Sequence, residues 1–174
     1  NITRTKRMII KPFGEEGIAM LRGNIKDVPI TDYICALLEE ETDTGDFLEQ
    51  IQKTTLQNGK MKRVPFNEKV WDLINKITYE YESKDRKIME VWAGLMREGD
   101  FHMLHGHQEV KNGISGGLYL KVPKLTQPQG NMNWVSNNKV FSWSPKDGDY
   151  FVWPSILLHC VYPFKGPGDR IMIS

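Results

Sequence analysis

The spacing of apolar positions changes near residue 88. Before it, apolar residues recur every three or four positions, the period of a helix with one buried face. In TDYICALLEEE, Ile34, Leu37 and Leu38 share a face, and Thr31 or Asp32 can cap the start. GDFLEQIQKTTLQNG carries Phe47, Ile51 and Leu56 and stops at Asn58-Gly59, an ordinary helix end. NEKVWDLINKITYEYE puts Val70, Ile74, Ile77 and Tyr81 in one stripe behind a capping Asn67. Ahead of these helices, RMIIKPFG and IAMLRG read as short strands.

Beyond residue 88, short runs between turns replace the helical period. The runs IMEVWAGLM, FHMLHGHQEV, ISGGLYLKVP, NMNWV, VFSWSP, DYFVWPS, LLHCVYP and RIMIS read as strands. Lys146-Asp147-Gly148-Asp149 and Lys165-Gly166-Pro167-Gly168-Asp169 are turn chemistry. The pattern predicts a mainly β protein with N-terminal helices: a jelly-roll core flanked by helices. Residues 1–87 are expected to form a helical and strand scaffold packed on a core of residues 88–174, in one compact domain.

Charge narrows the partners. The 174 residues carry 23 basic and 22 acidic side chains, a net charge of +1. No global field draws the chain to nucleic acid or to a membrane, and neither partner is expected. No apolar run approaches the roughly 18 residues of a membrane span. Lys60, Lys62 and Arg63 read as a solvated basic cluster. The opening NITRTKRMIIKPFG has no apolar leader stretch, and Cys35 and Cys160 lie far apart, which fits reduced thiols and a cytoplasmic protein. Cys160 reads as packing, while Trp143 and Trp153 read as core lining, one of them a candidate wall for a substrate cavity. Residues 123–130 form a loop of the kind that covers a barrel mouth.

The candidate chemistry is concentrated. Three of the four histidines fall in HMLHGHQEV. In an extended strand, His105, His107 and Glu109 project to one face, with neighbouring alpha carbons roughly 6–7 Å apart. Met103, next on that face, is a poor ligand for a hard or borderline metal, and His102 falls on the opposite face. His159, on an apolar run far along the chain, can supply the ligand that a pair lacks. Two imidazoles and a carboxylate make the facial triad of non-haem Fe(II) oxygenases, and His107, Glu109 and His159 fit it. Arg170 follows a Gly/Pro-rich hairpin at the start of the last strand. Its bidentate fork suits a carboxylate, so metal row and arginine together suit a 2-oxo acid.

The stretch VWAGLMREGDFHMLHGHQEV…SGGLYLKVP…SPKDGDYFVWPSILLHCVYPFKGPGDRIMIS resembles the 2-oxoglutarate/Fe(II)-dependent oxygenase superfamily, and within it a group common in marine bacteria and their phages. The resemblance implies a double-stranded β-helix that uses Fe(II), 2-oxoglutarate and molecular oxygen to hydroxylate an unactivated C–H bond of a small-molecule or peptide substrate, with 2-oxoglutarate converted to succinate. It implies His159 as a metal ligand, Arg170 as the anchor of the 2-oxoglutarate carboxylate and Tyr119 as an assisting residue. Counted forward from Trp92, the group's H-x-H falls on His105 and His107; counted back from Ser115-Gly116, the metal row falls on His107 and Glu109. A carboxylate lowers the charge of the site and favours Glu109, while the group's pattern favours His105. With three histidines the site would resemble cupin dioxygenases, an alternative that needs no 2-oxo acid. A jelly-roll binding module without catalysis is the remaining alternative.

Overall fold

The computed structural model describes residues 4–40, 56–107 and 112–174. The described residues form twelve strands and two helices: β1 (Arg4–Ile10), β2 (Met20–Ile25), α1 (Thr31–Glu39), β3 (Leu56–Gln57), β4 (Lys60–Arg63), α2 (Glu68–Glu82), β5 (Trp92–Met96), β6 (Phe101–His105), β7 (Ile114–Lys121), β8 (Met132–Ser136), β9 (Lys139–Trp143), β10 (Asp149–Pro154), β11 (Leu158–Val161) and β12 (Arg170–Ile173). Two antiparallel sheets result. The larger runs β1-β2-β10-β7-β12-β5-β4 and the smaller β3-β6-β11-β8-β9. From β5 to β12 the chain passes between the sheets as a jelly roll does, so the expected double-stranded β-helix is present. No described helix is long and apolar enough to cross a membrane.

Alternation of side chains on the larger sheet makes two cores. Leu118, Tyr150, Val152, Ile171 and Ile173 face the helices and pack on Ile34, Leu37, Val70, Leu73 and Ile77. Phe151, Trp153 and Tyr119 face the smaller sheet, where they meet Met132, Trp134, Val161 and Phe164. The helix α2 starts as its sequence predicts: the Asn67 side chain accepts from Lys69 N at 3.1 Å and Val70 N at 3.3 Å. For α1 the expected cap is absent. Ile30 holds the cap position with no side-chain bond, and the Thr31 hydroxyl donates instead to the Val28 carbonyl at 2.8 Å.

Other expectations change. The middle helix of the sequence reading falls mostly on residues 41–55, outside the described residues, and its end is strand: Leu56 and Gln57 pair with His102 and Phe101. Lys60, Lys62 and Arg63 are strand residues paired with β5, not a merely solvated cluster. Lys60 Nζ donates to the Leu38 carbonyl and Lys62 Nζ to the Leu37 carbonyl at 3.0 Å, placing cations at the C-terminal end of α1 where the helix dipole favours them. The run from residue 88 becomes strand only at Trp92, and β6 stops at His105, short of the expected Val110.

Candidate metal centre

Three imidazoles converge between the two sheets. The ligand nitrogens of His105, His107 and His159 all lie within 4.8 Å of one another. Strand pairing explains two of them, because β6 and β11 are antiparallel neighbours with His105 opposite His159. Their ring centroids are 4.2 Å apart, and that of His107 lies 5.3 Å from His105 and 5.6 Å from His159. His107 leaves the strand and is held by its backbone N–H, which donates to the Ser155 carbonyl at 2.8 Å, just ahead of β11. Convergence therefore comes from a strand end and a turn, not from the uninterrupted strand face expected of residues 101–110. Glu109 lies outside the described residues.

Hydrogen bonding fixes the proton positions. Nδ1 of His105 lies 2.8 Å from the Met103 carbonyl, and Nδ1 of His159 lies 2.9 Å from the Leu157 carbonyl. A carbonyl only accepts, so each Nδ1 carries the hydrogen and donates it. Each Nε2 is left with a lone pair, the arrangement that backbone-oriented metal ligands use. Burial keeps these rings neutral. The pKa of His159 is lowered from 6.5 to about 3, by desolvation first and then by the charge of His105. That of His105 is also lowered by desolvation, against the opposing bond to Met103. Neutral imidazoles at a partly buried site suit a borderline metal such as Fe(II).

His102 is a correction. Strand parity puts it on the face away from His105, yet its ring stacks on that of His105 with 6.1 Å between centroids. The cause is a register shift. His159 pairs with His105 but Val161 with His102, so two steps on β11 match three on β6. The bulge turns His102 inward, where burial, then His105, Arg170 and His159, lower its pKa to about 3.

Arg170 begins β12 and is 0 % exposed. Its guanidinium sits 4.9 Å from the Tyr119 ring centroid. Nη1 donates to the Gly130 carbonyl, but Nε and Nη2 are buried with no partner among the described residues. Two open donors on one buried fork fit a carboxylate, and three converging imidazoles fit Fe(II), so the residues present fit both groups that the resemblance implies. Tyr119, 1 % exposed, has its phenol pKa raised by burial, and the charge of Arg170 opposes the rise. The loop ahead of β8 ends on Gly130, whose N–H donates to the Pro163 carbonyl at 3.0 Å, so this end of the expected lid is tied down beside Arg170.

The sequence reading did not single out Trp134. This indole lies opposite His159 in the β8–β11 pairing and is fully buried. Its neighbours on β8, Asn133 and Val135, gave no sign that the indole would face the imidazoles.

Residues 90–174 match a family model described as "Putative 2OG-Fe(II) oxygenase". No curated protein matches the chain. Among solved structures, a Pseudomonas putida prolyl-4-hydroxylase is similar with TM-score 0.59 and 12% identity, over 96% of this chain and 89% of that one. A prolyl hydroxylase from Trichoplax adhaerens, solved with a hypoxia inducible factor peptide fragment, gives TM-score 0.63 and 14% identity, over 96% and 80% of the two chains. The viral collagen prolyl hydroxylase of Paramecium Bursaria Chlorella virus-1, solved with 2OG, gives 0.54 and 18%, over 97% and 93%. At these identities the structures share the fold.

Proposed function

We propose that this 2-oxoglutarate- and Fe(II)-dependent oxygenase holds its iron with His105, His107 and His159 and hydroxylates an unactivated C–H bond of a small molecule or peptide. The observation that carries the residue assignment is the pairing, within one interior, of three converging imidazoles with an arginine whose Nε and Nη2 lack partners. When bound, the iron and its co-substrate supply the chemistry R–H + O2 + 2-oxoglutarate → R–OH + succinate + CO2.

The chain's own residues bind and orient. The backbone carbonyls of Met103 and Leu157 fix the ring orientations of His105 and His159. Arg170 Nε and Nη2 take the far carboxylate of the co-substrate, with the Tyr119 ring beneath the guanidinium. Trp134, Trp153 and Phe151 exclude water from the same interior. Beside the imidazoles, Leu104 and Ile156 stand 54% and 57% exposed, an apolar approach that suits an uncharged part of a substrate. The similar prolyl hydroxylases make a prolyl peptide the first substrate to try.

A three-imidazole set also supports a cupin-like dioxygenase that uses no 2-oxo acid. Anaerobic addition of Fe(II) and then 2-oxoglutarate separates the two readings. The oxygenase should develop a visible charge-transfer band and, once air is admitted, release succinate. Iron uptake with neither band nor succinate would leave the cupin reading.

A further inference from the structure

Two indole N–H groups on the inner faces of the sandwich are buried without a hydrogen-bond partner among the described residues, Nε1 of Trp134 and Nε1 of Trp153. The residues are 0% and 3% exposed. An indole nitrogen donates and cannot accept, and buried indoles usually find a partner. With Nε and Nη2 of Arg170, the interior holds four donor atoms waiting for acceptors. The guanidinium accounts for one end of a dicarboxylate, and the indoles remain to be explained.

The two rings meet edge to face with 5.5 Å between centroids, and their other neighbours differ. Trp134 is packed among aromatic rings, 4.8 Å from Phe151 and 5.4 Å from Phe141 between centroids, on the side of the smaller sheet away from β6. Trp153 comes from the facing sheet and meets the His159 ring in a T-shape at 5.1 Å. Its far edge lies over β7: a Cβ added to Gly117 would stand 3.9 Å from Trp153 Cη2 and 3.0 Å from Met172 Cε. The indole thus reaches from the imidazole cluster over β7, the neighbour of the strand that carries Arg170, in ordinary contact with the bare face of Gly117. An oxo acid held by the imidazoles at one end and by Arg170 at the other would lie beside this ring.

Resting on the oxygenase reading above, the geometry points to Trp153 Nε1–H as the hydrogen-bond donor to the metal-bound, 2-oxo acid end of the co-substrate. Trp153 is then a co-substrate-binding residue, and its N–H complements the fork of Arg170 at the opposite end.

Binding to zinc-loaded protein tests this without turnover. Trp153→Phe keeps a ring and removes the donor, so the Kd for 2-oxoglutarate by calorimetry should rise roughly tenfold or more, with zinc stoichiometry unchanged. Oxalate, which retains only the chelating end, should lose affinity by a similar factor, and Trp134→Phe should weaken both ligands less than Trp153→Phe does. Equal Kd values for wild type and Trp153→Phe, or a loss confined to Trp134→Phe, would overturn the assignment. In 15N-tryptophan-labelled wild type the Trp153 indole resonance should move downfield when 2-oxoglutarate is added. A resonance that stays in place overturns the assignment even where the variant fails to fold, since variants at the other four tryptophans identify the peak. Zinc-loaded wild type that takes up no 2-oxoglutarate overturns the oxygenase reading itself.

Discussion

His105 and His159 face each other across the β6–β11 pairing, and each donates its Nδ1 hydrogen to the carbonyl two residues before it. The two rings are therefore oriented by their own strands before any metal arrives. As the proposed ligands, two imidazoles fixed in this way would lose little freedom on binding a metal, so their removal should be felt mainly in metal affinity.

Replacing His159 with Ala should abolish stoichiometric Fe(II) binding while the β-rich circular dichroism spectrum persists. Replacing His105 with Ala should do the same, because His105 lies within ligand distance of the other two imidazoles. Glu109→Ala should retain iron if the three histidines suffice. Parallel iron titrations of the three variants decide the ligand set, and full binding by His105→Ala with loss in Glu109→Ala would restore the two-histidine, one-carboxylate triad.

Much of this was legible in the sequence because its signals were local. Turn residues such as Gly148 and Gly168 punctuated the strands, so β7 to β12 lie close to the runs that announced them. His159 and Tyr119 are singled out on otherwise apolar runs, His107 within a cluster of histidines, and Arg170 at the start of a strand after a Gly/Pro-rich turn. What stayed hidden depends on register between strands distant in sequence. No count along residues 101–110 reveals that two residues of β11 oppose three of β6, so His102 was put on the wrong face. The strands β3 and β4 were missed for a related reason. Leu56–Gln57 is too short to show alternation, and Lys60–Arg63 is polar enough to pass for surface until β5 pairs with it.

Arg170 carries charge at 0 % exposure with two donor atoms unpaired. Such a group costs stability until a partner arrives. Arg170→Met, similar in length and apolar, should therefore leave the thermal stability of the metal-free protein equal to or higher than that of wild type. It should also weaken 2-oxoglutarate binding to the metal-loaded protein by about 2–5 kcal/mol, with metal affinity unchanged. Thermal melts with and without 2-oxoglutarate check both halves. A variant as strongly stabilised by 2-oxoglutarate as wild type would remove Arg170 from the site.

Acid should unfold the metal-free protein in a defined window. His102 and His159 titrate at about 3 in the folded protein against 6.5 for the free side chain. Between those values the unfolded chain holds more protons than the folded one, so stability falls as pH drops. The slope is at most about 1.4 kcal/mol per pH unit for each histidine. Above pH 6.5 both rings are neutral in both states and this contribution to the slope vanishes. Urea unfolding at pH 7.5, 6.0 and 5.0 should show the decline on the acid side, and His102→Asn should make it shallower. An unchanged slope in that variant would mean that His102 is solvated.

Gly148 ties the site to the scaffold. Its N–H donates to the Tyr119 carbonyl at 2.8 Å and its carbonyl accepts from Ile25 N at 3.0 Å, joining the turn before β10 to β7 and to the end of β2. Its φ is +79°, and a Cβ there would lie 2.0 Å from the Ile25 carbonyl oxygen. Gly166 has φ +109° but nothing within 4 Å of such a Cβ. Alanine at 166 thus meets only the backbone penalty, about 1–2 kcal/mol. Alanine at 148 adds a clash with backbone that cannot swing aside, for a total of about 3 kcal/mol or more. Urea unfolding of the two variants isolates the steric part. Because Tyr119 lies under the Arg170 guanidinium, Gly148→Ala should also weaken 2-oxoglutarate binding where Gly166→Ala does not. Equal stability losses in the two variants would show that the turn can shift away from Ile25, and that Tyr119 is held by the core around it and not by this bond.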